Sequence, residues 1–166
     1  MDITLACRLV EYEMENFPCL VDEGWIVTTG RMKRTFGKCF YQSKRIVLSE
    51  HFIRLNPPER VKMTGLHEIA HALVGPHVPS HGRIWKAQAI ELGIPPFSCS
   101  GVAKMPEGKW VAVCPGCQRI FYKYRNPGNR RRYCQKCGPE QGNLVFIPNV
   151  AEAEDFRVVI PRRFQS

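Results

Sequence analysis

The sequence predicts an α+β fold: a mainly helical domain carrying a small antiparallel sheet, followed by a small β module. Three observations lead there. Apolar residues recur at helical spacing near the start of the chain and again over Val61–Val74, with short β-branched runs between the two. The second helical run contains His67-Glu68-Ile69-Ala70-His71. Beyond a stretch rich in Pro, Gly and Ser, two C-x-x-C pairs punctuate short strand-like segments.

The opening segment sets Leu5, Leu9 and Tyr12 on one side, with Cys7, Val10, Met14 and Phe17 close by, which predicts an amphipathic helix ending near Pro18. Trp25–Thr29, Gly37–Tyr41 and Arg45–Leu48 read as strands, the last two joined by a turn at Gln42-Ser43. Asn56-Pro57-Pro58-Glu59 then reads as a helix start, with Asn56 as N-cap and Glu59 completing a capping-box-like arrangement. Gly65 is costly inside that helix, and a close backbone approach would explain it. Gly75-Pro76 should end it. A further helix is expected from about Gly82 to Leu92, stopping at Gly93. Beyond it Trp110–Val113, Ile120–Tyr124, Arg132–Cys134 and Leu144–Ile147 are strand candidates. The resulting division is a domain over residues 1–96, a linker over 97–108, a β module over 109–148 and a tail over 149–166.

Size and composition narrow the function classes. The chain has 166 residues, enough for one real core plus a small module. No apolar run approaches the roughly 18–20 residues that span a bilayer, so no membrane role is expected. Residues 1–17 carry Asp2, Arg8, Glu11, Glu13 and Glu15, unlike a signal peptide, and the expectation is a cytoplasmic protein that is not secreted. The formal net charge of +9 is unevenly spread: residues 1–100 hold 12 Lys/Arg against 10 Asp/Glu, residues 101–166 hold 12 against 5. Between Lys104 and Lys136 nine basic residues face the single acid Glu107, a pattern that calls for a polyanionic partner, nucleic acid first. The scattered Cys7, Cys19, Cys39 and Cys99 read as buried free thiols.

The pentad at 67–71 carries the chemistry. Residues four apart share a helix face, so both imidazoles can address one metal ion, and Glu68 is placed to take a proton from a metal-bound water. A catalytic zinc takes three protein ligands. His77 stands at the metzincin offset, but that pattern wants a glycine where Val74 stands. His81 opens the next helix, and the loop before it is long enough to fold that helix back; this favours His81 over His77.

Cys114-Pro-Gly-Cys117 and Cys134-Gln-Lys-Cys137, sixteen residues apart, form two knuckles whose four thiolates can close a tetrahedral structural zinc site. A redox use of either pair fits the interval less well. Between the knuckles, expected to form a hairpin, Arg119, Lys123, Arg125, Arg130, Arg131 and Arg132 mingle with Tyr122 and Tyr124. Cations for phosphates and rings for exposed bases suit single-stranded or distorted DNA. The alternative is a hairpin whose aromatics pack on the knuckles and whose charges are solvated.

His67-Glu68-x-x-His71-Ala72, then His81-Gly82-x-x-Trp85-Lys86 and Leu92-Gly93, together resemble the SprT/Spartan-like zinc metalloprotease family, with Gly37-x-Cys39 and Ile46-x-Leu48-Ser49 resembling the strands before its zinc helix. A four-cysteine ribbon follows in many members, and the short loop between His71 and His81 looks more like the bacterial and phage-type ones. The resemblance implies a zincin-like helical metalloprotease domain with a zinc ribbon, and His67, His71 and His81 as ligands of a catalytic zinc with Glu68 as general base. Cys114, Cys117, Cys134 and Cys137 would hold a second, structural zinc. It further implies a monomeric, nucleoid-associated endopeptidase acting on DNA-bound or DNA-crosslinked proteins. The rival is a DNA-binding or regulatory zinc protein whose metalloprotease-like domain is a scaffold; an intact Glu68 argues against it.

Overall fold

The computed structural model describes residues 1–97 and 103–149. Cys99 and the tail beyond Asn149 lie outside the described residues. The chain forms two compact units, Met1–Pro106 and Glu107–Ser166.

The first unit opens with helix α1, Ile3–Met14, whose N-cap Asp2 accepts hydrogen bonds from the Thr4 and Leu5 N–H groups at 2.8 and 3.1 Å. Its buried stripe is Ala6, Val10 and Met14, one every four residues, while Leu5 and Tyr12 face outward. Pro18 does more than end α1: it starts a short helix α2, Pro18–Asp22. Strands β1 (Ile26–Gly30), β2 (Gly37–Phe40) and β3 (Arg45–Ser49) come next.

The sheet is mixed, where the sequence pattern predicts an antiparallel one. Its order is β1-β3-β2; β3 runs parallel to β1 and antiparallel to β2. The reason lies in β3 itself: Ile46 and Leu48 are fully buried, so the most apolar strand takes the centre. Residues 31–36 pass over the end of β3, where the Ser49 N–H donates to the Phe36 carbonyl at 2.8 Å and its hydroxyl donates to that of Met32.

Ser49 also caps helix α3, Glu50–Leu55, a turn and a half that the sequence pattern does not announce. Asn56 ends α3 and does not cap the next helix. Its side-chain amide donates to the carbonyls of Phe52 and Lys104 at 2.8 and 2.7 Å, and its oxygen accepts from the Lys104 N–H at 2.8 Å. With those atoms committed, helix α4, Pro58–Val74, starts from Pro57 without a side-chain cap. Lys104, in the stretch expected to be a linker, is thereby tied to the first unit, and Ala103 and Met105 pack against its core.

Gly65 has the close approach that its cost in a helix calls for: a Cβ there would lie 2.4 Å from Val10 Cγ2, so α1 and α4 touch at this point. Gly75 ends α4 with φ +77°, and helix α5, Arg83–Glu91, returns against it. Val27, Ile46, Leu48, Phe52, Val61, Ile69 and Trp85 build the core between the helices and one sheet face.

The second unit is a three-stranded sheet ordered β5-β4-β6, with β4 at Trp110–Val113, β5 at Ile120–Lys123 and β6 at Ile147–Pro148. The expected hairpin between the knuckles does not form. Instead β5 pairs with β4, which precedes the first knuckle, so Cys114–Cys117 is itself the hairpin turn. The expected strand at Arg132–Cys134 reduces to an isolated bridge, Tyr133 to Asn143, and a single helical turn α6, Gly138–Gln141, succeeds the second knuckle.

Candidate metal centres

α4 places His67 and His71 one turn apart, and the turn at Pro79–Gly82 brings His81 to meet them. His81 takes the left-handed conformation (φ +58°), and the Gly82 N–H donates to the Pro79 carbonyl at 2.9 Å. A Cβ on Gly82 would sit 3.0 Å from that same carbonyl oxygen, so the turn leaves little room for a side chain there. The His81 Nε2 atom lies 3.0 Å from His67 Nε2 and 3.2 Å from His71 Nε2. His77 is exposed and not part of this group.

Those separations fit zinc. With Zn–N bonds near 2.0–2.1 Å, the edge of a tetrahedron is about 3.3 Å. Burial, then the neighbouring imidazoles, holds His67 and His71 down at about 4, well below an ordinary histidine, so both are neutral and free to donate a lone pair at neutral pH.

Trp85, which enters the sequence reading only through the family resemblance, is the floor of the site. Its ring is fully buried, with centroids 4.6, 5.2 and 4.4 Å from those of His67, His71 and His81. Among the described residues, its indole N–H has no hydrogen-bond partner. The apolar helical spacing marks Trp85 as core; nothing in sequence shows that it touches all three histidines.

Glu68, beside the histidines on α4, is also buried, 7 % exposed. Burial pushes its carboxyl up to about 7, against the pull of the Cys39 backbone N–H. Strand β2 runs close beside it: a Cβ on Gly37 would lie 2.9 Å from Glu68 Cγ and 3.0 Å from Oε1. The Cys39 thiol is pushed up to about 12 by burial, then by the Glu68 charge, so it is no nucleophile at neutral pH. Tyr41 is raised by burial first, with Cys39 and Glu68 adding to it, which places its phenol in the same neighbourhood.

In the second unit Cys114, Cys117, Cys134 and Cys137 converge, their sulfurs all within 4.8 Å of one another. The Cys117–Cys134 separation is 3.7 Å. Zn–S bonds of about 2.3 Å give a tetrahedral edge of about 3.8 Å, so this donor set fits zinc too. Each knuckle closes on its first cysteine: the Gln118 N–H donates to the Cys114 carbonyl and the Gly138 N–H to that of Cys134, both at 2.9 Å. Glycine is required at 116, where a Cβ would lie 3.0 Å from Cys137 Sγ. Burial works against it, but N–H groups of Cys137 and Lys136 and the facing thiols draw Cys134 down to about 7.

The ribbon residues singled out for DNA spread over more than one face. Arg119, Tyr122, Lys123, Arg125, Arg130 and Arg131 are exposed, and Tyr124 and Arg132 are half-buried. Tyr122 and Lys123 are adjacent on a strand and point to opposite faces. The Arg132 guanidinium donates to the Pro127 carbonyl at 3.5 Å.

The sequence model of the SprT-like family matches residues 10–100, spanning the three histidines and Glu68. The chain belongs to the SprT-like family. Comparison with curated proteins gives no match. Membership suggests a metalloprotease-like function for the first unit, and the four-cysteine cluster is compatible with a zinc ribbon. Among the described residues, no helix is long and apolar enough to cross a membrane.

Proposed function

We propose that this SprT-like protein is a zinc-dependent endopeptidase acting on DNA-associated or DNA-crosslinked proteins, with a zincin-like site in the first unit and a structural zinc in the second. The observation that carries the reading is the convergence of three imidazoles, two of them held neutral by burial, beside a buried carboxylate. His67, His71 and His81 would hold the catalytic ion, Cys114, Cys117, Cys134 and Cys137 the structural one. A zinc ion at the histidines supplies a Lewis acid and lowers the pKa of water from 15.7 to roughly 7.

Glu68 is the general base. It stands directly after the first histidine on α4, and the Cys39 N–H and the absent side chain of Gly37 fix its carboxylate. It accepts the proton of the attacking water and returns it to the leaving amine. Trp85 holds the three imidazoles from below and keeps bulk water off that side.

The DNA-directed part is supported by the excess of basic residues in 104–136 and by exposed Arg and Tyr on the ribbon. The scaffold reading would need no buried carboxylate at 68, where burial alone is costly. The deciding experiment is cleavage of a DNA-bound protein with and without DNA and chelator. Glu68→Gln should abolish cleavage while leaving metal content and DNA affinity unchanged; undiminished cleavage by that variant would refute the mechanism.

A further inference from the structure

The outer face of the first unit's sheet carries a charge pattern that the ribbon-based reading does not use. Six of the 12 Lys/Arg in residues 1–100, and none of the ten Asp/Glu, fall within 31–48. They are Arg31, Lys33 and Arg34 in the loop over the sheet end, Lys38 on β2, Lys44 in the turn and Arg45 on β3. Among the described residues, only Lys44 of these six is in an ion pair, with Glu23 at 3.5 Å.

Strand alternation sorts the sheet into two faces. Val27, Ile46 and Leu48 turn inward to the helices, as do Gly37 and Cys39, which meet Glu68. Lys38, Phe40, Arg45, Val47, Ile26 and Thr28 therefore turn outward. The register makes them neighbours: Arg45 lies between Ile26 and Phe40, and Val47 between Thr28 and Lys38. Ile26 is 54 % exposed, and the Lys38 ammonium stands 4.8 Å above the Phe40 ring centroid.

A face that gathers like charges, with only Lys44 of the six paired to a carboxylate among the described residues, gains little for folding, because the charges repel one another. Interleaved with an aromatic ring and exposed aliphatic carbon, it matches a chain that offers phosphates and unstacked bases together. An acidic protein would use the cations but not the ring.

We infer that the outer face of this sheet, with the loop at residues 31–36, is a second nucleic-acid surface on the protease unit itself, fitted to single-stranded DNA. The inference takes DNA as partner from the reading above and assigns it a site separate from the ribbon. It gives β2 two jobs: Gly37 and Cys39 seat the catalytic carboxylate, while Lys38 and Phe40 face the strand. A protein attached to DNA held there lies one sheet thickness from Glu68.

The test is fluorescence anisotropy of a labelled oligo-dT with the full zinc-loaded chain over a salt series. Two variants are compared with wild type. The sheet variant carries Arg31→Gln, Lys33→Gln, Arg34→Gln, Lys38→Gln and Arg45→Gln; the ribbon variant carries Arg119→Gln, Arg125→Gln, Arg130→Gln and Arg131→Gln. Every single-strand phosphate that is no longer neutralised flattens the log K–log salt slope by about 0.7, so the sheet variant, with five cations removed, should lose up to about 3.5 of slope. Lysine replacements at Arg31, Arg34 and Arg45 should keep it, and Phe40→Leu should lower affinity about fivefold with the slope unchanged. A sheet variant that binds like wild type while the ribbon variant loses binding overturns this inference and leaves the ribbon reading standing. Polyglutamate competing as well as oligo-dT also overturns it. Wild type without salt-sensitive binding removes both. Matching circular dichroism and zinc content show that the exposed substitutions leave the fold intact.

Discussion

Replacing Gly65 by alanine tests the contact on which helix α4 rests. Carbon atoms rest at about 3.5–4.0 Å, whereas the new Cβ would lie 2.4 and 2.7 Å from Val10 Cγ2 and Cγ1. Relief of about an ångström is needed. Val10 cannot supply it, being fully buried and β-branched on a helix, where a single χ1 rotamer dominates. The helices α1 and α4 must therefore part. Overpacking of this kind costs about 1–3 kcal/mol, against a helix-propensity gain of about 1 kcal/mol for Gly to Ala. The depth of the overlap places the cost at the upper end, leaving a net loss of about 1–2 kcal/mol. For a unit of this size that lowers Tm by roughly 5–15 °C. The assay is thermal and urea unfolding of Gly65→Ala, Val10→Ala and the double variant. In the Val10→Ala background the same substitution should be neutral or stabilising, giving a coupling of at least about 1 kcal/mol. A rise in Tm for Gly65→Ala in the wild-type background would refute the reasoning.

Other perturbations address the two centres separately. The only buried residues of appreciable apolar character described in the second unit are Ala112, Cys114 and Cys134, so a chelator should unfold it while the first unit stays folded; amide exchange resolved by segment reads this, and protected ribbon amides without metal would contradict it. Trp85→Ala should cost about 3–5 kcal/mol and weaken zinc at the histidines about tenfold or more. Trp85→Phe keeps a ring and removes an unpartnered N–H, so it should cost under about 1.5 kcal/mol; chelator competition and calorimetry separate the two. His67 and His71 have folded values of about 4 against 6.5 unfolded, so the unfolded chain binds more protons between those limits. Metal-free protein should therefore lose stability as pH falls from about 6.5 to 4, and His67→Asn/His71→Asn should flatten that dependence in denaturant titrations.

The range of each interaction decides whether the sequence reveals it. The zinc helix, its end at Gly75 and the four knuckle cysteines depend on neighbours within a few positions, and these are legible. His81 is reachable because loop length limits where the next helix can return. Sheet order is not, because β1 pairs in parallel with β3 only once residues 31–36 cross the sheet end, a choice set by the burial of Ile46 and Leu48. Asn56 misleads for a related reason. Its sequence context matches a helix cap, but Lys104, 48 residues away, claims the amide. The Gly37–Glu68 contact and the Trp85 floor are likewise tertiary, and no local pattern encodes them.

The two donor sets also differ in how the fold holds them, and that difference separates their roles. The cysteines are alternately buried and half-buried, and without them their unit would keep little of its buried surface. Four thiolates satisfy a tetrahedral ion completely, so that site has no position left for a reactant. The histidines are all half-buried and number three, two on α4 and one in the turn before α5, beside a core of Val10, Ile69, Trp85 and Ala89 that is complete without them. Three ligands leave one tetrahedral position, and the partial exposure of the rings leaves it reachable. A core that stands without the ion can hold the ligands near working geometry before it arrives, which keeps the cost of ordering out of the chemistry. Glu68 completes the contrast: a buried carboxyl beside the histidines is a liability for folding, and the second unit, where a purely structural ion would need no such group, has no counterpart among its described residues.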